Sequence, residues 1–165
     1  IIGVSVVVLG GVLIAGSNSR SSMEKLSASF TGDDATVVAD SAVHWHPKLS
    51  IVINGQPRDI PTDIGIGASF AATPFYDTMM GMSDVHTHEA GGTLHWEVMQ
   101  GPIKKGHVRL KAFFDTWGQP FDREHILDKT NGPDGTVSMT VNGEPNSEFE
   151  QYVVKDGDQI EIRFE

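Results

Sequence analysis

The sequence predicts an α+β domain of ββαββ order that carries a histidine-bearing insertion and follows a transmembrane helix. Three observations predict it. The chain opens on a long apolar run, its later part breaks into short β-branched runs punctuated by Asn-Gly and Asp-Gly, and one amphipathic helix lies between those runs. At 165 residues and 39% hydrophobic, the chain is sized for one packed domain with an appendage.

The appendage comes first. Ile1 to Ala15 reads IIGVSVVVLGGVLIA, and no charge occurs before Arg20. A helix apolar on every side has no polar face to turn to water, and about 20 such residues cross a bilayer. Residues 1–19 are therefore predicted to be a transmembrane helix, or the end of a longer one, with an uncleaved signal core and a buried helix as the other readings, the buried helix last because Gly10-Gly11 and the all-round apolarity give it no polar face. Residues 20–42 are polar and rich in small side chains, so they read as a stalk or linker, with a short helix around Met23–Phe30.

The domain is predicted at 43–165. Leu49–Ile53 is a β-branched strand, and Asn54-Gly55 is the dipeptide of a two-residue hairpin turn, with a return strand at Arg58–Ile60. Residues 62–107 form the insertion. Within it, Asp84–Glu89 and Thr93–Val98 read as short strands around the turn Ala90-Gly91-Gly92. Val108–Trp117 places Leu110, Phe113, Phe114 and Trp117 on one helical face, stopped by Gly118 and Pro120. Thr136–Val141 and Gln159–Phe164 alternate as strands, with turns at Asn142-Gly143 and Asp156-Gly157. With the insertion set aside, the order is that of a β-grasp domain.

Charge and composition exclude several functions. The formal charge is −10, from 22 acidic and 12 basic residues, so the surface repels phosphate backbones and no nucleic-acid partner is expected. The absence of cysteine removes disulfides, thiolate ligands and iron–sulfur clusters. A transition metal would have to be held by His, Met, Asp or Glu.

Those donors are clustered. Five of the seven histidines stand at His44 and His46, at His86 and His88, and at His95. Residues two apart in a strand share a face, so each H-x-H pair presents two imidazoles together, and His95 pairs in the same way with Glu97. The turn at 90–92 folds one insertion strand onto the other, and the hairpin ends bring His44 and His46 to the root of the insertion. The predicted metal ligands are His44, His46, His86, His88 and His95, with Glu89 and Glu97 as carboxylates orienting the rings. His107 and His125 read as ordinary structural histidines. Imidazole ligation suits copper or zinc, with copper slightly ahead. Met79, Met80 and Met82 read as gap-filling packing, or as thioether donors to Cu⁺.

Two resemblances add to this. Met139 to Phe164 and Leu49 to Pro61 resemble the last half and the opening hairpin of ubiquitin-like sulfur-carrier proteins. That resemblance implies a β-grasp core only, because Phe164-Glu165 stand where the carriers have their reactive Gly-Gly. The strings HWHP (44–47), IPTDIGIG (60–67), HTHEAGGTLHWE (86–97), and the end VNG with DGDQIEI resemble a family of membrane-anchored proteins of archaea and bacteria with H-x-H-P, H-T-H-D and I-H-x-E motifs. Glu89 and Leu94 replace the usual Asp and Ile. This resemblance implies an anchored, histidine-bearing domain and brings no activity with it.

Together these readings predict a single-pass protein of the cell membrane with its domain on the extracytoplasmic side, the lipid bilayer as one partner, and a histidine-held copper or zinc ion. The alternative is an accessory or interaction subunit of a membrane or cell-envelope complex, its metal purely structural. An enzyme, with an open metal position and Glu97 or Glu89 as general base, ranks last because no second catalytic group stands out.

Overall fold

A computed structural model describes residues 22–165. Helix α1 (Ser22–Ser29) leads through a 3-10 turn at Gly32–Ala35 into β1 (Val37–Ala39), β2 (Val43–Trp45), β3 (Lys48–Ile53) and β4 (Gln56–Arg58). Five short strands follow: β5 (Tyr76–Asp77), β6 (Met82–Ser83), β7 (Val85–His86), β8 (His95–Val98) and β9 (Ile103–Lys104). After α2 (Leu110–Trp117) come β10 (His125–Ile126), β11 (Lys129–Thr130), β12 (Val137–Val141), β13 (Glu144–Pro145) and β14 (Gln159–Phe164).

The largest sheet has the order β13-β12-β14-β3-β4, with β14 parallel to β3 and antiparallel to β12. Alternation builds it: Leu49, Ile51 and Ile53 of β3 are buried, as are Ile160, Ile162 and Phe164 of β14 beside them. Asn54 and Gly55 both take positive φ, 51° and 74°, as the mirror-image turn of a tight hairpin requires.

Helix α2 lays Leu110, Ala112, Phe113 and Phe114 on the same core and ends at Gly118 in the left-handed conformation. It starts at Leu110 rather than at Val108 for a hydrogen-bonding reason. Leu110 N–H donates to Tyr152 O and Val154 N–H to Val108 O, so the residues before the helix pair in strand fashion with 152–154.

A second, three-stranded sheet has the order β2-β8-β7 and carries the site. Its inner face, Val85, Trp96 and Val98, is fully buried in the common core, and Trp96 Nε1–H donates to His107 O at 3.0 Å. Residues 32–39, read above as part of the stalk, lie along the body. There β1 pairs with β9, and Asp33 and Asp34 bind Lys105 and Arg109.

The predicted fold class is corrected by this architecture. The described residues are mostly sheet, fourteen strands in five sheets with two α-helices of eight residues, and not the α+β β-grasp body of ββαββ order. The reason lies in the segments read as loop or insertion. Besides β7 and β8, which fall within the strands read at 84–89 and 93–98, they hold β1, β5, β6, β9 and the β10–β11 pair, strands of two or three residues that are too short to show a period.

The membrane expectation is corrected as well. Among the described residues no helix is long and apolar enough to cross a membrane, so those residues supply no helix for the transmembrane and single-pass expectation. The segment 1–19 for which that helix was predicted lies outside the described residues.

Candidate metal centre

Strand pairing assembles the histidines. In β2–β8, His44 lies opposite Glu97 and Trp45 opposite Trp96. The same register, continued by the Lys48–Thr93 bridge and the Leu94 N–H bond to Pro47 O, brings His46 opposite His95. In β7–β8, His86 lies opposite His95. Opposed residues of an antiparallel pair share a face, so His44, His46, His86, His95 and Glu97 all stand on the face turned away from Trp96.

His88 joins them from just beyond β7. Thr87 between the two imidazoles points the other way and is tied down: its Oγ1 donates to Pro61 O at 2.9 Å and accepts from Ile64 N–H at 3.1 Å. Gly65 allows this packing. Its φ is +80°, and a Cβ there would stand 2.8 Å from Val85 O and 3.1 Å from His86 Cβ.

The donors fall into two sets. His86, His88, His95 and Glu97 each offer one donor atom, all within 4.8 Å of one another, and so do His44, His46 and His95. In the first set, His86 Nε2 lies 3.1 Å from His88 Nε2. Glu97 Oε1 lies 3.9 Å from both His86 Nε2 and His95 Nδ1, and 2.9 Å from His44 Nε2.

Protonation suits ligation. His86 Nδ1 sits 2.9 Å from Ser83 O, a pure acceptor, so Nδ1 carries the proton and Nε2 turns its lone pair to the cluster. Burial holds His86 below the ordinary histidine range. Burial, with the neighbouring rings of His88, His86 and His46, does the same for His95. Both rings are neutral at pH 7, the form that binds metal. His95 Nδ1 is also buried with no hydrogen-bond partner. A buried nitrogen without a partner is costly, and an ion at this point would satisfy it.

All five predicted histidines therefore come together, in two overlapping groups. Glu97, predicted to orient a ring, stands among the donor atoms. Glu89 is exposed in the turn and belongs to neither set. His107 is buried apart from the cluster, where Nδ1 accepts from Lys104 N–H at 2.9 Å, and His125 pairs with Asp122. Met79 and Met80 are exposed on the β5–β6 turn and fill no gap.

Two supporting residues were not foreseen. Asp156 Oδ1 accepts from His46 N–H at 2.8 Å across 110 residues of chain, a separation with no local signal. Asp84, just before β7, accepts from Glu97 N–H through its backbone carbonyl at 2.8 Å; its side chain is buried, and burial together with the charge of Asp77 pushes its carboxyl up to about 7. The run Ser83-Asp84-Val85-His86 could have suggested the Ser83 carbonyl, three residues before the ring it orients. No family model, curated protein or solved structure matches the chain.

Proposed function

We propose that the protein is a transition-metal-binding domain and that His86, His88, His95 and Glu97 hold the ion. The observation that carries this is the convergence of those donors within 4.8 Å on one sheet face, three imidazoles and a carboxylate. The oriented Nε2 of His86 and the unpartnered buried Nδ1 of His95 support it.

Three nitrogens and an oxygen suit a borderline divalent ion. Copper(II) stands ahead of zinc because divalent ions bind such donors in the order that peaks at copper. Ser83 O and the packing around Gly65 hold the donors in place before the ion arrives, which limits the ordering cost of binding.

Calorimetric titration of the metal-free protein with Cu²⁺, and separately with Zn²⁺, tests this. His88→Ala and His95→Ala are expected to weaken binding beyond the roughly 10–100-fold that follows loss of a mere supporting residue. His125→Ala is expected to bind as the wild type does. Equal binding by all three variants would refute the assignment.

A further inference from the structure

One tetrahedral ion is complete with four donors, and His86, His88, His95 and Glu97 already supply four. His44 and His46 are then surplus as donors to that ion, yet they are not idle surface rings, and His44 Nε2 lies 2.9 Å from Glu97 Oε1. Their centroids are 4.6 Å apart, and His46 meets His95 edge-on at 4.8 Å. The Asp156 carboxylate holds the His46 backbone from a remote turn. With His95 they form the second set of mutually close donors, and His95 is the one residue common to both.

Resting on the metal-binding reading above, we infer that the cluster is a two-ion centre with His95 shared between an inner and an outer transition-metal ion. The inner ion takes His86, His88, His95 and Glu97, and the outer ion takes His44, His46 and His95. His95 has the atoms for both roles. Its Nδ1 lies on the Glu97 side, at 3.9 Å from Oε1, and Nε2 is its other donor. A ring that ligates through both nitrogens has released its N–H proton to solvent.

The two positions differ in exposure. The inner set includes the His86 side chain, 0% exposed, beside an exposed His88, whereas His44, at 60%, and His46 of the outer set are both exposed. The outer ion, on three imidazoles, keeps a fourth position open to water or to an external ligand. The inner ion is the retained one, and the outer is the one that exchanges.

Zn²⁺ per chain, counted by native mass spectrometry and by calorimetry, tests this on the wild type and on the His44→Ala/His46→Ala double variant. The expected counts are two and one. A wild-type count of one overturns the inference, and any binding at all leaves the metal-binding reading standing. A count of zero overturns both. Two ions in each protein would put the second ion elsewhere and also overturn it. With Cu²⁺ as the probe, the second equivalent is expected to diminish the electron paramagnetic resonance signal of the first through the common ring. Two full, uncoupled signals would overturn the shared role of His95.

Discussion

His86 and His107 are both fully buried imidazoles, and the backbone group at Nδ1 decides what each can do. A carbonyl faces Nδ1 of His86, so that nitrogen keeps the proton and Nε2 is a free donor. An N–H faces Nδ1 of His107, so its proton sits on Nε2, an atom with no hydrogen-bond partner, and the ring packs perpendicular to Phe30 at 4.8 Å. Burial pushes His107 down to about 4, so the folded protein leaves it neutral where the unfolded chain binds a proton. The stability this contributes is complete above about pH 6.5 and is lost as the pH falls through about 4, amounting to roughly 3 kcal/mol. His107→Asn keeps an acceptor for Lys104 and removes the titration. Urea unfolding at pH 7.5 and 4.5 is expected to show the wild-type advantage over the variant shrinking by about 2–3 kcal/mol. A pH-independent difference would count against a neutral buried ring. The sequence reading set His107 apart because it belongs neither to an H-x-H pair nor to the H-x-E pair of His95 and Glu97. Which nitrogen each ring offers was not legible, since tautomers depend on Ser83 O and Lys104 N–H, partners that only the folded backbone supplies.

Among elements, β8 does most to build the site, and Gly92 lets it approach β3. Gly92 has φ +78°, Leu49 N–H donates to its carbonyl at 2.8 Å, and a Cβ on it would fall 2.0 Å from Leu49 O. Its neighbour Gly91 also has positive φ but has nothing within 4 Å of a Cβ. Gly91→Ala is therefore expected to cost only the left-handed conformation, about 1–2 kcal/mol. Gly92→Ala adds a backbone displacement and is expected to exceed it by about 2 kcal/mol or more. Urea midpoints give the order directly, and the reverse order would show that β8 does not need this close approach. The pairs His44/His46 and His95/Glu97 were legible because a strand's period of two puts both members on one face. The pairing between strands was less so. The turn at 90–92 shows only that the two insertion strands fold together; the register itself sets His86 opposite His95 and leaves the His88 ring 4.7 Å from that of His95.

At the scale of the molecule, the site is spread over three strands that reach it from 44–46, 86–88 and 95–97, and an ion there ties the small sheet together. A ligand bound only by the folded state adds about 2.7 kcal/mol at a free concentration one hundred times its dissociation constant. For a chain of this size that corresponds to a rise in Tm of about 5–10 °C. Differential scanning calorimetry with and without Cu²⁺ or Zn²⁺ measures it, and a chelator is expected to return the transition to its metal-free position. No shift under saturating metal would mean that the ion is held equally by the unfolded chain. The long strands at Leu49–Ile53 and Gln159–Phe164 and the helix ending at Trp117 were readable from periodicity and from Asn-Gly and Gly punctuation. The mostly-sheet character was not, because pairs such as Val37–Ala39 with Ile103–Lys104 join distant segments of two or three residues.

The alternation along β8 has a consequence for how this sequence can change. Leu94, Trp96 and Val98 are wholly inside, while His95 and Glu97 between them look the other way. One residue inserted or deleted between 93 and 98 would exchange the two rows, turning the indole to water and the imidazole into oil. A substitution here alters one row at one position, whereas a shift of the reading frame alters both rows at once, so the length of the strand is constrained as strictly as its letters.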